Sequence, residues 1–140
     1  MLLTYSQAET VIQAHVAANW TVTKVAYENV DALDYSDVAR PELSNGQAPY
    51  MELKVTFTDS YAAETGPNAI KQTWGYIEAT FHTRTSSGAK INKTNSDAMA
   101  ALFEYKRIGG IVFKEMQVLS SFTSEGWYKT PTLLRFYFNR

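Results

Sequence analysis

Residues 49–60 read PYMELKVTFTDS. Met51, Leu53, Val55 and Phe57 alternate with Glu52, Lys54, Thr56 and Thr58. Side chains of a strand point to opposite faces with period two, so this stretch predicts a strand with one face buried and one in water. A second alternating run follows at Lys71–Thr83. Gly75, Ile77, Ala79, Phe81 and Thr83 share one face, and Trp74, Tyr76, Glu78, Thr80 and His82 the other. The small residues Gly75 and Ala79 suggest close packing beneath a helix. Between the two runs lies DSYAAETGPNAI, read as a loop at Asp59–Ala69, although a turn of two residues would connect two such strands.

Upstream, Ser6-Gln7-Ala8-Glu9 fits a capping box, and Ala8, Val11, Ile12, Val16 and Trp20 recur at helical spacing, which predicts an amphipathic helix over 6–19. His15 lies beside that stripe and reads as a packing or boundary residue. Val25-Ala26-Tyr27 is a short strand candidate. Asp31–Ala48, with Pro41 and an Asn45-Gly46 turn signal, reads as an extended loop of the length that ordered proteins usually keep for function.

Downstream, Ile91, Asn95, Ala98, Leu102 and Tyr105 mark a second amphipathic helix that ends before Gly109-Gly110. Ile111-Val112-Phe113 opens another strand, and Ser120–Gly126 is a turn region. Leu134, Phe136 and Phe138 alternate in a closing strand with Pro131 at its start, where a missing donor is tolerated. Neighbouring strands are joined mostly by loops. The expected fold is therefore a single α+β domain over residues 1–140, with a mixed or antiparallel sheet of about four to five strands and two helices packed on one face.

A chain of 140 residues with 45% hydrophobic and 19% charged residues can bury a sizeable core without metal or disulfide. It has no cysteine, which excludes disulfides, thiolate zinc sites and a cysteine nucleophile. MLLTYSQAET lacks the basic start, apolar core and cleavage site of a signal peptide, and no stretch approaches the roughly 18 apolar residues of a membrane span. Two N-x-T matches, at Asn19 and Asn92, would matter only in a secreted eukaryotic protein.

The formal net charge of −1 is unevenly spread. Residues 1–65 hold nine acids and three bases, and residues 66–140 five acids and ten bases. The halves either neutralise one another within one fold or present an acidic face of one subunit to a basic face of the next, where complementarity sets register and partner choice.

The spacings that suggest catalysis are incomplete. Ser87-Gly-Ala-Lys90 matches S-x-x-K, but the S-D-N and K-T-G partners of serine acyl-enzymes are missing. The phosphate-loop pattern G-x-x-x-x-G-K-[ST] is absent. Asp31, Asp34 and Asp37 could hold a hard cation, yet they lack the tight alternation and bidentate glutamate of a calcium loop, and a solvated acidic loop is the better reading. His15 and His82 show no pairing. No catalytic, cofactor-binding or metal residues are expected, and an enzyme is not. Arg84, Lys90, Lys93, Lys106 and Arg107 gather around the second helix, and Trp74, Tyr76 and Tyr61 could stack on bases. A nucleic-acid footprint normally sits on a basic domain, however, and here pI is about 6.1.

The order of pieces resembles the tail terminator and tail-completion proteins of lambda-like, long-tailed bacteriophages. They are an N-terminal helix, the VAYENV strand, a polar loop ending in PYMELKV, a variable loop, the WGYIEATF strand leading through TRTSSGAK into a helix, and a late tryptophan in GWYKTPTLLRFYF. The resemblance runs over nearly the full length as a pattern, without one diagnostic motif. It implies a subunit of a homo-hexameric ring at the head-proximal end of the tail in the virion, assembled in the bacterial host cytoplasm. Such a ring stops the tail tube protein from adding further and gives the head-completion or connector protein its joining surface. DNA passes through the lumen unread, and no membrane is involved. A ring needs heterologous contacts. Asp31–Ala48 and Asp59–Ala69 are the expected contact loops, with Asp31, Asp34, Asp37, Tyr61 and Glu64 as candidates, and Arg84, Lys90, Lys93 and Arg107 as possible partners. A head–tail connector or stopper subunit is the alternative within phage biology. A small ligand-binding or hydrolytic domain is the alternative outside it.

Overall fold

The computed structural model describes residues 2–28, 49–62, 65–85 and 89–140. The elements run α1 (Tyr5–Asn19), β1 (Lys24–Tyr27), β2 (Tyr50–Ala62), β3 (Lys71–Arg84), α2 (Lys90–Phe103), β4 (Arg107–Ile108), β5 (Ile111–Val118), β6 (Phe122–Ser124) and β7 (Trp127–Asn139). The fold is α+β. Its sheet has seven strands in the order β1-β2-β3-β7-β5-β4, with β6 also paired to β7, so it is larger than the four or five strands expected. The excess is β4 and β6, two and three residues long, too short to show any period.

The sheet is mixed. β1 and β2 run parallel, and every other pair is antiparallel. Parallel neighbours cannot be joined by a hairpin and need a crossover of a dozen or more residues. This requirement accounts for a long connection between Tyr27 and Tyr50. Register shifts interrupt β2–β3 at Phe57/Ser60 and β5–β7 at Phe113/Met116, and such bulges increase local twist and curl the sheet.

One face of the sheet carries the core. Met51, Leu53, Ile77, Ala79, Phe81, Phe113, Leu134, Phe136 and Phe138 are buried there, in one cluster with Ala8, Ile12 and Val16 of α1 and Met99 and Phe103 of α2. Both described helices therefore cover the same face. Each fully buried large side chain contributes roughly 1.5–3 kcal/mol of hydrophobic stabilisation.

Several local details correct the sequence reading. Thr4, not Ser6, caps α1: its Oγ1 accepts from the Gln7 N–H at 3.2 Å, and its own N–H donates to Gln7 Oε1 at 2.9 Å. The buried stripe of α2 is Asn92, Asn95, Ser96, Met99 and Phe103, whereas Ile91 and Tyr105 are 39% and 71% exposed. Polar residues take the inner positions because they meet polar partners: the Asn92 Nδ2 donates to the Tyr128 carbonyl at 3.0 Å and to Thr130 Oγ1 at 3.2 Å. Burial of Asn92 also closes the second N-x-T match. Gly75 is packed beneath a neighbouring strand rather than a helix, since a Cβ there would lie 2.5 Å from the Thr56 carbonyl oxygen and 2.7 Å from Phe136 Cζ.

The presumed turn at Ser120–Gly126 contains β6 and a tight hairpin in which Glu125 and Gly126 have φ of 55° and 81°, the left-handed pair that such two-residue hairpins use. β7 consequently starts at Trp127, and Pro131 lies inside it. Its carbonyl accepts from the Leu119 N–H on the β5/β6 side. The proline nitrogen points the same way, into the gap between the partner segments of β5 and β6, where no ladder donor is needed.

Candidate assembly surfaces

Past Leu53, where β1 stops, β2 is an edge strand backed by β3 and β7, and its far end forms an exposed arm. β2 runs to Ala62, with Ser60–Ala62 paired to Lys71–Thr73, so part of the expected loop at Asp59–Ala69 is strand. Thr58–Ala62 are all exposed, with Tyr61 at 59%. The arm is braced from behind. Ser60 Oγ and Thr73 Oγ1 share a hydrogen bond at 2.9 Å, and Lys71 and Arg140 exchange two backbone hydrogen bonds at 2.9 and 2.7 Å. The Arg140 guanidinium also sits 4.4 Å above the Tyr5 ring.

The face of the sheet opposite the two described helices holds a second, smaller cluster of Ala26, Tyr50 and Trp127. Around it Tyr50 covers His82, and the Arg84 guanidinium lies 4.0 Å over the Trp127 ring. His82 is 1% exposed. Its Nδ1 stands 3.0 Å from the Thr80 carbonyl, which can only accept, so Nδ1 carries the proton and Nε2 a lone pair. Burial holds the imidazole neutral, with its pKa lowered to about 4 against the partial support of that hydrogen bond. Glu52 Oε1 lies 3.3 Å from Nε2, yet Nε2 has no hydrogen-bond partner. Glu52 itself is 55% exposed on its side chain and well solvated.

Farther along this face, Glu28, Glu52 and Glu78 line a cavity of about 310 Å³ with Ala26, Tyr27, Leu53, Lys54 and Thr80. The register brings them together, since Glu52 pairs with Ala26 and Thr80, and Lys54 with Glu78. The Glu28 N–H donates to the Leu53 carbonyl at 3.2 Å. Burial raises the Tyr27 hydroxyl above its ordinary pKa and keeps it neutral.

The predicted contact residues fall at separate places. Tyr61 is on the arm, and Arg84 is half-buried against Trp127. Lys90 and Lys93 are exposed in the first turn of α2, and Arg107 is exposed in β4 beyond its far end. A 14-residue helix is about 21 Å long, so the bases around α2 form two groups rather than one patch. Asp31, Asp34, Asp37, Glu64 and Ser87 lie outside the described residues. Sequence reasoning assigned no site role to Glu28, Glu52, Glu78 or Tyr50, and Trp127 entered it only as the late tryptophan of GWYKTPTLLRFYF. Alternation alone puts Glu52 and Glu78 on outer faces, but only the register shows that they share a cavity.

The start of α2 breaks a local rule. Ala89 offers no side-chain cap, the first turn has no acid, and Lys90 and Lys93 stand at the positive end of the helix dipole. Cations at that end cost each about 0.3–1 kcal/mol. At the other end, Tyr105 has φ of 56° and is 71% exposed, and the Lys106 ammonium donates to the Ala101 carbonyl at 2.7 Å. His15 is a joint between the helices: Nε2 donates to the Leu102 carbonyl, and Nδ1 accepts from Asn19 Nδ2, both at 3.2 Å. Among the described residues no group of three or more His, Cys, Asp or Glu could hold a metal ion, and no helix is long and apolar enough to cross a membrane.

No protein-family profile matches the sequence. No curated protein matches it either. Four solved chains do match. One, whose name states no function, aligns with a TM-score of 0.67 at 12% identity, over 97% of this chain and 96% of that one. At that identity the likeness is one of fold alone.

Proposed function

We propose that this chain is a structural subunit of a phage tail, and that it forms a homo-hexameric ring at the head-proximal end of the tail tube. In this reading the ring terminates tube growth and offers the joining surface to the head-completion protein. It works in the virion after assembly in the bacterial cytoplasm, and it performs no catalysis. DNA crosses its lumen without base-specific contact.

The observation that carries the proposal is the braced β2–β3 arm. The exposed end of β2, Thr58–Ala62, backed by β3, which is itself held to Arg140, is suited to rigid contact with another subunit. Contact residues on a rigid scaffold lose little entropy on binding. The unlike charge of the Glu28, Glu52 and Glu78 side of the sheet and of the α2 N-terminus adds support, because a ring requires two different surfaces that complement each other.

The test is deletion of the gene in the phage that encodes it, followed by electron microscopy of the lysate. Overlong tubes are expected. Finished tails of normal length that fail to join heads would instead assign the chain to the connector or stopper position and overturn the terminator reading.

A further inference from the structure

Two stretches of the sheet's margin have no described strand beside them. β1 pairs β2 only as far as Leu53, and β4 pairs β5 only at Ile111 and Val112. An unpaired strand edge is a row of free backbone donors and acceptors, and a template for another strand.

Hydrogen bonds show which residues turn those groups outward. The Leu53 carbonyl accepts from the Glu28 N–H at 3.2 Å on the β1 side. Backbone direction alternates along a strand, so Val55 and Phe57 also turn their N–H and C=O away from β3. On β5 the Leu119 N–H donates to the Pro131 carbonyl at 2.9 Å, toward β7. Gln117, paired with Leu133, points the same way, and Met116 and Val118 point outward. Among the described residues no strand takes up these outward groups.

The two edges match in direction, face and spacing. The pairs β2–β3, β3–β7 and β7–β5 are each antiparallel, so β5 runs opposite to β2. A copy related by rotation about an axis along the strands keeps its strand direction and its helices on the same side. It therefore brings its β5 edge antiparallel to β2. Val55, Phe57 and Met116 pack on the core side of the sheet, and Val118, two residues from Met116, shares that side. With Val118 opposite Val55 and Met116 opposite Phe57, each pair exchanges both hydrogen bonds, and apolar side chains meet across the seam. Thr56 and Gln117 then face each other on the other side. The pairing also covers Val118, which is 48% exposed at the rim of the sheet.

We propose that this match is the contact between copies: β5 of one subunit adds to the β2 edge of the next, in that register, so that one sheet runs on through the assembly. The contact stands on the geometry of the sheet, and only its closure into a ring rests on the function proposed above.

The test is disulfide trapping, which a chain without native cysteine makes clean. Thr56→Cys and Gln117→Cys occupy a non-hydrogen-bonded pair of the seam, where Cα atoms lie about 4.5 Å apart and a disulfide fits. Within one subunit β3 and β7 separate them by roughly 14 Å, too far to bridge. The full-length double variant, its fold verified by circular dichroism, is mildly oxidised. It is expected to give a ladder of covalent multimers on non-reducing gels, which reductant collapses. Each single variant alone is expected to stay monomeric on such gels, and their mixture to give heterodimers. Lys54→Cys with Gln117→Cys, two residues out of register, is expected to cross-link at least about tenfold less. As a second measurement, Val118→Pro removes an outward donor and leaves the β5–β7 ladder intact. It is expected to weaken self-association in sedimentation velocity at least about tenfold. No ladder, equal trapping out of register, or a folded proline variant that associates like wild type overturns the seam. A ladder that stops at the hexamer supports the ring as well, and one that runs on without limit keeps the seam and overturns the ring. Tail length in the deletion phage judges the terminator reading separately.

Discussion

Tyr50 lies flat on His82, with ring centroids 4.3 Å apart and planes 15° from parallel, while Trp127 meets Tyr50 edge-on at 5.0 Å. These contacts bury a titratable ring on the face opposite the two described helices. They also make stability depend on pH. His82 has a folded pKa of about 4, lowered chiefly by burial and further by Lys129, against 6.5 when unfolded. The unfolded chain thus takes up the proton first as pH falls. The contribution is absent as a penalty above pH 7 and grows between 6.5 and 4, to on the order of 3 kcal/mol. Urea denaturation at pH 7.5 and 4.5 should show wild type losing about that much relative to His82→Gln, whose side chain does not titrate. A stability difference between the two proteins that stays constant with pH would contradict the assignment.

Gly75 has no room for a methyl group. A Cβ there meets a backbone carbonyl oxygen at 2.5 Å and the buried Phe136 ring at 2.7 Å. The carbonyl belongs to the paired strand and cannot move without disturbing the ladder. Gly75→Ala is expected to lower stability by about 2–3 kcal/mol, even though alanine is otherwise better than glycine in a strand. Chemical denaturation gives the number, and a neutral or stabilising result would mean that β2 and β3 adjust freely.

Asn92 holds α2 to β7 through two donated hydrogen bonds at 0% exposure. Asn92→Leu keeps much of the volume but leaves the Tyr128 carbonyl without that donor, while Thr130 Oγ1 keeps its hydrogen bond to Ser121 Oγ at 2.8 Å. An orphaned buried group costs about 1–3 kcal/mol, so a loss of roughly 1–3 kcal/mol is expected on thermal or urea unfolding. A loss below about 0.5 kcal/mol would show that water replaces the amide.

The long strands and α1 were legible because their apolar residues recur with the period of the element that buries them. The α2 face was misread by one position for the opposite reason: its inner side is polar, so hydrophobic periodicity selected Ile91, Ala98 and Tyr105 around the rim. β6 was hidden in a turn because three residues carry no period, and Pro131 then looked like a beginning. The cavity was illegible for a deeper reason. Glu28, Glu52 and Glu78 come from three segments, and their meeting depends on one parallel and one antiparallel register that no local pattern encodes. Lys90 and Lys93 were visible as charges. Their cost became visible only when the helix start was placed.

That cost gives a prediction separable from assembly. Replacing Lys90 and Lys93 by glutamate puts acids at the positive end of the α2 dipole in place of bases. The isolated subunit should gain roughly 0.5–1.5 kcal/mol. Melting curves at low protein concentration and low salt would show it, with the gain shrinking as salt screens the dipole. An unchanged melt would mean that the helix end is already compensated.

Tyr105 supplies the last test. It follows α2 in a left-handed conformation, φ 56°, at a position where helices commonly place glycine. A side chain there costs about 1–2 kcal/mol, part of which glycine returns through its looser unfolded state. Tyr105→Gly should therefore stabilise the folded subunit by roughly 1 kcal/mol. Nothing in the core depends on the ring, which is 71% exposed. A strained, projecting tyrosine beside Lys106 and Arg107 is the composition of a contact hot spot. The variant is accordingly expected to melt higher and to associate more weakly in the same preparation. A higher melting point with unchanged association would leave Tyr105 as strain without a contact role, and a lower melting point would mean that the ring stabilises the turn it strains.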